Sequence, residues 1–418
     1  MRILHTSDWH LNDRLDRIKR QPDIAARLAE IAGYLDEHKV DVMIVSGDIF
    51  STFNRLDEVR DALNDVNRNF KPFLLRGGTI VGISGNHDSE ALFDLLRATL
   101  DLASPQEPQS KVVRPRGRLY LATRPTHMLL EDNSGQQVQF LLMPYPTPAA
   151  YLRDEETKWS SKEELNRLLH AGMQRKLEQV KTKAIDPRLP SVLVAHAHIR
   201  GSEIHNLYHL TESDDVVFDM ADLPTSWAYA AYGHIHKPQS MRGANHIRYA
   251  GSIDRMDFGE INDKEKSVVL VEIGAQDRIG EPETLPLDAT PLYRVQIRDP
   301  ETELPQLREQ YPDAARAIVD FKAYYQPGKH NPHEIRRELE TIFPRWCRGE
   351  VISESAAINQ PDASPPKNLR DVGGTVRGFL QERLQDHPDR DELLMLADRL
   401  LAEEPLAETS LHELEVGA

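Results

Sequence analysis

The 418 residues, 39% hydrophobic and 28% charged, have the composition of a globular chain of more than one domain rather than of a disordered one. No apolar run approaches the ~20 residues that span a bilayer, the opening MRILHTSDWH lacks an apolar segment with a cleavage site, and the lone Cys347 excludes an intrachain disulfide or thiolate metal cluster; a reducing, cytoplasmic setting without a membrane is expected. The net charge of −16 weighs against coating nucleic acid by bulk electrostatics, though not against gripping one phosphate through metal ions.

Short apolar, β-branched runs recur in chain order at Arg2–Thr6, Val42–Ser46, Thr79–Ser84, Val138–Pro144, Ser191–Ala195, Trp227–Tyr232, Ile247–Ala250 and Ser267–Ile273, and they read as strands. Between the early ones, Ile24, Leu28, Ile31 and Leu35, then Leu56, Val59, Leu63 and Val66, recur at helical spacing. The fold class expected for residues 1–275 is therefore α/β (α+β by some schemes), with two packed β-sheets flanked by helices. Residues 274–291 are rich in Gly, Pro and Asp and read as a linker. A smaller α+β unit follows over 285–352, with strands at Tyr293–Ile297 and Ala317–Tyr324 and helices around Pro305–Tyr311 and Pro332–Phe343. Residues 353–368 read as a flexible linker, and 369–405 as two short helices joined at Asp386-His387-Pro388.

Five motifs close predicted strands: Asp8-Trp9-His10, Gly47-Asp48, Gly85-Asn86-His87-Asp88, His196, and Gly233-His234-Ile235-His236. In a strand, residues i and i+2 share a face, so Asp8 with His10 and His234 with His236 can present paired ligands. Carboxylate, imidazole and amide oxygen suit Mn²⁺, Fe²⁺ or Zn²⁺. Seven such groups exceed one tetrahedral site, so two divalent ions are expected, the arrangement that clamps attacking and leaving oxygens in phosphoryl transfer. His198, two residues beyond His196, is an alternative ligand.

The order D-x-H, G-D, G-N-H-D, H, G-H-x-H resembles the calcineurin-like metallophosphoesterase superfamily. MRILHTSDWHLN, GDIF, GNHD and the stretch YGHIHKPQSMRGANHIRYAGSIDRMDFGE at 232–260 are similar to its SbcD-type branch, the nuclease subunits of SbcCD DNA-repair complexes. The resemblance is close over the first ~275 residues and looser through the small α+β unit, similar to that branch's capping domain, and the terminal helix pair, similar to its ATPase-binding segment. It implies one ion held by Asp8, His10, Asp48 and His236 and a second by Asp48, Asn86, His196 and His234, with Asp48 bridging and Mn²⁺ the expected metal. His87 would stabilise charge or protonate the leaving oxygen, and Asp88 would orient His87. The family's glycine five residues after the ligand fits His196, through Gly201, better than His198. Ser51 departs from the acid that many relatives carry after GDxF, which bears on substrate contacts rather than on the ligands.

The implied activity is 3′-to-5′ exonuclease action on duplex DNA and endonuclease action on single strands and hairpins, gated by ATP in an SbcC-type coiled-coil ATPase. Arg14, Arg17, Lys19, Arg20, Arg55 and Arg255 are candidate contacts to the DNA backbone. The apolar stripes Leu56/Val59/Leu63/Val66 and Leu92/Leu95/Leu96/Leu100 read as a buried intrachain face or, by the resemblance, as helices that pair two subunits into a homodimer within a heterotetramer. The terminal helices would dock on the ATPase, and the assembly would sit on the nucleoid. The alternative is a phosphatase or small phosphodiesterase using the same metals; the 232–260 stretch and the two appended C-terminal units argue against it.

Overall fold

A computed structural model of the chain describes residues 1–51, 55–103, 113–152, 158–204, 215–219, 226–241, 243–263, 265–354, 390 and 393–396. Nearly all of them form one compact unit, Met1–Tyr325 with His330–Val351, and the rest belong to a second. The expected linker at 353–368 and the terminal helices at 369–405 lie almost wholly outside the described residues.

Two six-stranded sheets face each other. The first runs Arg278–Leu287, Lys266–Ile273, Arg2–Thr6, Val42–Val45, Thr79–Ile83, Leu119–Ala122; the second runs Gln239–Met241, Ala244–Tyr249, Tyr229–Gly233, Ser191–His196, Gln137–Met143, Thr126–Glu131. Central strands of both are parallel, and their apolar runs are near-continuous because both faces are covered. In the first sheet Ile3, Val42, Ile44, Val81 and Ile83 face inward, against Val138, Phe140, Leu142, Val192 and Val194 of the second. The alternate residues Leu4, Met43, Val45 and Ile80 face outward, under helices Gln21–Glu37 and Leu56–Leu75. On the far side Leu193, Ala195, Ala230 and Tyr232 pack under helix Lys162–Lys183 through Leu169, Met173 and Leu177. The result is a four-layer helix–sheet–sheet–helix sandwich with apolar cores between the sheets and under the helices on either side.

Residues 274–291 are not the linker their composition suggests. Arg278–Leu287 is a ten-residue strand at the edge of the first sheet, antiparallel to Lys266–Ile273. Pro282 and Pro286 pointed to a linker, but an edge strand tolerates residues that donate no ladder hydrogen bond, and Pro282 falls where the register shifts. The α+β unit is a three-stranded sheet of Leu292–Ile297, Ile318–Tyr325 and Trp346–Ser353 covered by helix Pro332–Ile342. Its own core includes Val295, Phe321, Leu339 and Phe343, while Leu292, Ile318 and Cys347 pack with Leu15 and Phe258 of the larger part.

Candidate active site

Every motif sits where a parallel strand stops, the usual place for a crevice in such sheets. The first sheet supplies Asp8 and His10 after Arg2–Thr6, Asp48 after Val42–Val45, and Asn86, His87 and Asp88 after Thr79–Ile83. The second supplies His196 at the end of Ser191–His196, and His234 and His236 after Tyr229–Gly233. Strand alternation is not what joins Asp8 to His10, contrary to the sequence-based expectation. Both lie past the strand in left-handed backbone, φ 49° and 45°, as do Asp48 at 49° and His234 at 96°. Each such residue costs about 1–3 kcal/mol, tolerated where the surroundings over-determine it. Trp9, between the first two, anchors the turn: its ring stacks on Phe70 at 5.5 Å and its Nε1 donates to Thr6 Oγ1 at 3.0 Å. Glycine is required beside them. A Cβ on Gly47 would stand 2.1 Å from His196 Nδ1, and one on Gly85 2.1 Å from Asp48 Oδ1.

Donor atoms converge in two overlapping groups, Asp8/His10/His236 and Asp8/Asp48/His196, each within 4.8 Å. Asp48 Oδ2 stands between histidines of both, 3.8 Å from His10 Nε2 and 3.4 Å from His196 Nε2. Asn86 Oδ1 lies 3.0 Å from His196 Nε2 and 2.9 Å from His234 Nδ1, which brings the last two predicted ligands to the same place.

The far nitrogens explain what the near ones can do. His196 Nδ1 faces the Ser46 carbonyl at 2.7 Å, His236 Nδ1 faces Glu260 Oε1 at 2.8 Å, and His234 Nε2 faces Asp215 Oδ2 at 2.6 Å. Those partners only accept, so each of these nitrogens carries the proton and, in the neutral ring, the opposite nitrogen is a bare lone pair. Those opposite atoms then crowd together: His236 Nε2 lies 3.1 Å from His10 Nε2, and His196 Nε2 and His234 Nδ1 face Asn86 Oδ1. An imidazole lone pair facing the Asn86 carbonyl oxygen is repelled unless a proton or a cation lies between them. The donor set thus fits divalent ions.

Electrostatics agree with that reading. Burial alone would lower His196, but the Asp48 carboxylate beside it outweighs burial and holds the imidazolium up to about 9. Burial is likewise overcome at His236 by Glu260, giving about 8, whereas at His10 burial prevails and the ring falls to about 4. In the absence of metal, protons occupy part of the cage.

Several expectations change. Asp88 does not serve to orient His87: its carboxylate accepts from the backbone N–H of Gly85 (2.8 Å), Ile49 (3.1 Å) and Phe50 (2.7 Å), clamping the GNHD loop to the GD loop. Burial and the nearby Asp48 push it up to about 7. His87 is half-buried, its ring 5.0 Å from that of His10. His198 is set apart from the donors, with Nδ1 3.5 Å from Asp215 Oδ2. Two of the six basic candidates are structural, and a third, Arg17, is exposed but engaged within the fold. Arg20 is fully buried, paired with Asp23 (2.9 Å) and Asp254 (3.4 Å). Arg255 donates to the carbonyls of Thr290 and Asp263. Arg17 lies over the Trp346 ring at 3.4 Å and donates to that residue's carbonyl. Arg14, Lys19 and Arg55 are exposed, Arg14 beside Glu58 and Arg55 beside Asp57. Sequence reasoning missed Asp215 and Glu260, the acids behind His234 and His236; only Glu260's place at the end of the 232–260 stretch hinted at either.

Comparison with known proteins adds an independent line. The family model described as calcineurin-like phosphoesterase matches residues 1–238. The chain is 27% identical to the SbcD component of the SbcCD nuclease of Rhodobacter capsulatus, over 88% of its own length and 91% of that protein's. It is also 27% identical to the SbcD components of the same nuclease from Bacillus subtilis, over 65% of this chain and 66% of that one, and from Escherichia coli, over 82% of each.

Proposed function

We propose, from the premise that this chain belongs to the calcineurin-like phosphoesterase family and is a hydrolytic phosphoesterase, that it is the DNA-cutting component of an SbcCD-type repair complex. The observation that carries the chemistry is the convergence of ring nitrogens of His10, His196, His234 and His236 with the oxygens of Asp8, Asp48 and Asn86. Asp8, His10, Asp48 and His236 hold one ion and Asp48, Asn86, His196 and His234 the other, with Mn²⁺ the metal we favour. A bound ion pair supplies charge neutralisation at the phosphate and activation of water. The protein's own part is positioning. The left-handed turns at Asp8, His10 and Asp48 aim the donors inward, and Asp88 ties together the two loops on either side of Asp48. His87, at the solvent edge of the cluster, is placed to give a proton to the leaving oxygen.

The substrate is DNA, cut as a 3′-to-5′ exonuclease on duplexes and as an endonuclease on single strands and hairpins; the relatives, named as nucleases, support nuclease action. The α+β unit acts as a capping domain, and residues 369–405 dock on an SbcC-type ATPase. Two copies of the chain pair through helices Leu56–Leu75 and Glu90–Ala103, a reading supported by Leu56, Leu95 and Leu102, which are 81%, 60% and 83% exposed. The proposed place of work is the cytoplasm, at the nucleoid; no helix among the described residues is long and apolar enough to cross a membrane.

Digestion of end-labelled duplex DNA with added Mn²⁺ tests the core of this. The wild type should degrade it, and His87→Gln should be slower by roughly 10²-fold or more. Hydrolysis of a phosphomonoester with no DNA cleavage under any metal would overturn the proposal. Truncation near residue 355 should keep the nuclease activity and lose co-purification with the ATPase; retained co-purification refutes the docking assignment.

A further inference from the structure

The two histidines of Gly233-His234-Ile235-His236 turn opposite nitrogens toward the cluster. His236 is held through Nδ1 and offers Nε2; His234 is held through Nε2 and offers Nδ1. Nothing in the imidazole ring prefers one arrangement strongly enough to enforce this, so the choice belongs to what stands behind each ring.

Behind His236 stands Glu260, fully buried, with Oε1 on the histidine at 2.8 Å. Its Oε2 receives Lys266 Nζ at 2.6 Å and the Met256 N–H at 3.2 Å. Lys266 is itself fully buried, pairs with Asp263 at 3.0 Å, and donates to the carbonyl of His236 at 2.9 Å, so the same ammonium fixes the acid and the backbone of the residue that the acid orients. A buried carboxylate without such a partner is strongly disfavoured, and the pairing keeps it charged where a charge is wanted. Behind His234 stands Asp215, with Oδ2 on the histidine at 2.6 Å and Oδ1 receiving the Val216 N–H at 2.7 Å and the Tyr145 hydroxyl at 3.0 Å. The Tyr145 ring packs 5.8 Å from that of His234. Each acid therefore turns one oxygen to its histidine and has the other locked by the fold, with His198 Nδ1 a more distant neighbour of Asp215 Oδ2 at 3.5 Å.

We infer that Glu260 and Asp215 are positioning residues that serve different ions: Glu260 sets His236 for the ion shared with His10, and Asp215 sets His234 for the ion shared with Asn86. The inference rests on the two-metal reading above. Each acid fixes the tautomer, aims the lone pair and raises the basicity of its ligand, and loss of such a partner typically lowers metal affinity 10–100-fold.

Titration of the full-length chain with Mn²⁺, followed by calorimetry and by electron paramagnetic resonance, tests this. The wild type should take up two ions and give a spin-coupled signal. Glu260→Gln and Asp215→Asn should each keep one ion at near wild-type affinity and bind the other 10–100-fold more weakly, with an uncoupled six-line signal at intermediate loading. Combining the two changes should weaken both ions. Because Glu260→Gln removes the nearer of the two carboxylates that pair with Lys266, Glu260→Gln with Lys266→Met provides a second variant with the same expectation. Two ions bound as in the wild type by variants whose metal-free melting is unchanged would overturn the inference. So would equal weakening of both ions by either single variant, the mark of a merely structural role. A wild type that binds no pair of ions would instead sink the two-metal reading itself.

Discussion

The two ends of the same sheets treat charge in opposite ways. At one loop, away from the motifs, Asp132 closes the turn before strand Gln137–Met143. Its carboxylate meets only donors: the Ser134 N–H at 2.8 Å, the Ser134 hydroxyl at 2.7 Å, the Gln136 N–H at 3.0 Å and the Met1 amine at 3.1 Å. At the carboxyl ends of the parallel strands, Asp48, Asn86, His10, His196, His234 and His236 crowd ligand atoms together, three of them (His10, Asp48 and His234) on left-handed backbone. The first arrangement is complete as it stands. The second is complete only with something added. A buried polar cluster whose donors and acceptors balance is a structural device; one that is short of positive charge is a binding site.

That contrast can be broken by substitution. Asp48→Asn should cost roughly 10³-fold or more in nuclease activity and weaken uptake of both ions while the chain stays folded, as judged by its melting curve and by metal titration. An Asp48→Asn protein with full activity would place the chemistry elsewhere. A smaller effect concerns protons. Because Asp48 and Glu260 hold His196 and His236 up to about 9 and about 8, metal entering at pH 7 must displace protons, so affinity should rise with pH, by up to about tenfold per unit for each proton displaced, and level off above pH 9. The sign for folding is the reverse: these raised values stabilise the metal-free fold below pH 6.5, and that contribution disappears as the pH passes through 8 and 9. Calorimetry in two buffers of different ionisation enthalpy reads the proton release directly. The smallest effect belongs to Asp132. Burial raises it, but the hydrogen bonds from Ser134 and Gln136 prevail and bring it to about 2. A lowered carboxyl stabilises above pH ~4 and ceases to as the pH falls through about 2. Asp132→Asn should therefore lower the melting temperature modestly at pH 7, with the gap closing in acid and Mn²⁺ binding untouched.

How much of this the chain discloses in advance depends on the element. Strands covered on both faces announce themselves, because Val42–Val45, Thr79–Ile83 and Ser191–His196 need apolar side chains at nearly every position. Leu119–Ala122 and Thr126–Glu131, half-covered, carry no such run and are not among the strands read from the sequence. The ligand-bearing motifs are legible since most of them set glycine beside a donor. Their supports are not: Glu260 lies 24 residues after His236 and Asp215 lies 19 before His234, and no periodicity links an acid to a ring across such a loop. Within the basic run from Arg14 to Arg20, Arg20 is illegible for a related reason. Composition cannot distinguish a cation facing solvent from one that a fold wraps in carboxylates and carbonyls, as it does Arg20 between Asp23 and Asp254.

The strand Arg278–Leu287 bears on how the molecule can assemble. A free sheet margin invites another chain to zip onto it, and this margin is spoiled for that purpose: two of its ten residues have no N–H to offer, the register slips at Pro282, and Glu281 and Glu283 stand exposed along it. The sandwich cannot grow sideways at this margin by recruiting copies of itself, so an assembly built there would have to be made across side chains rather than by sharing a sheet.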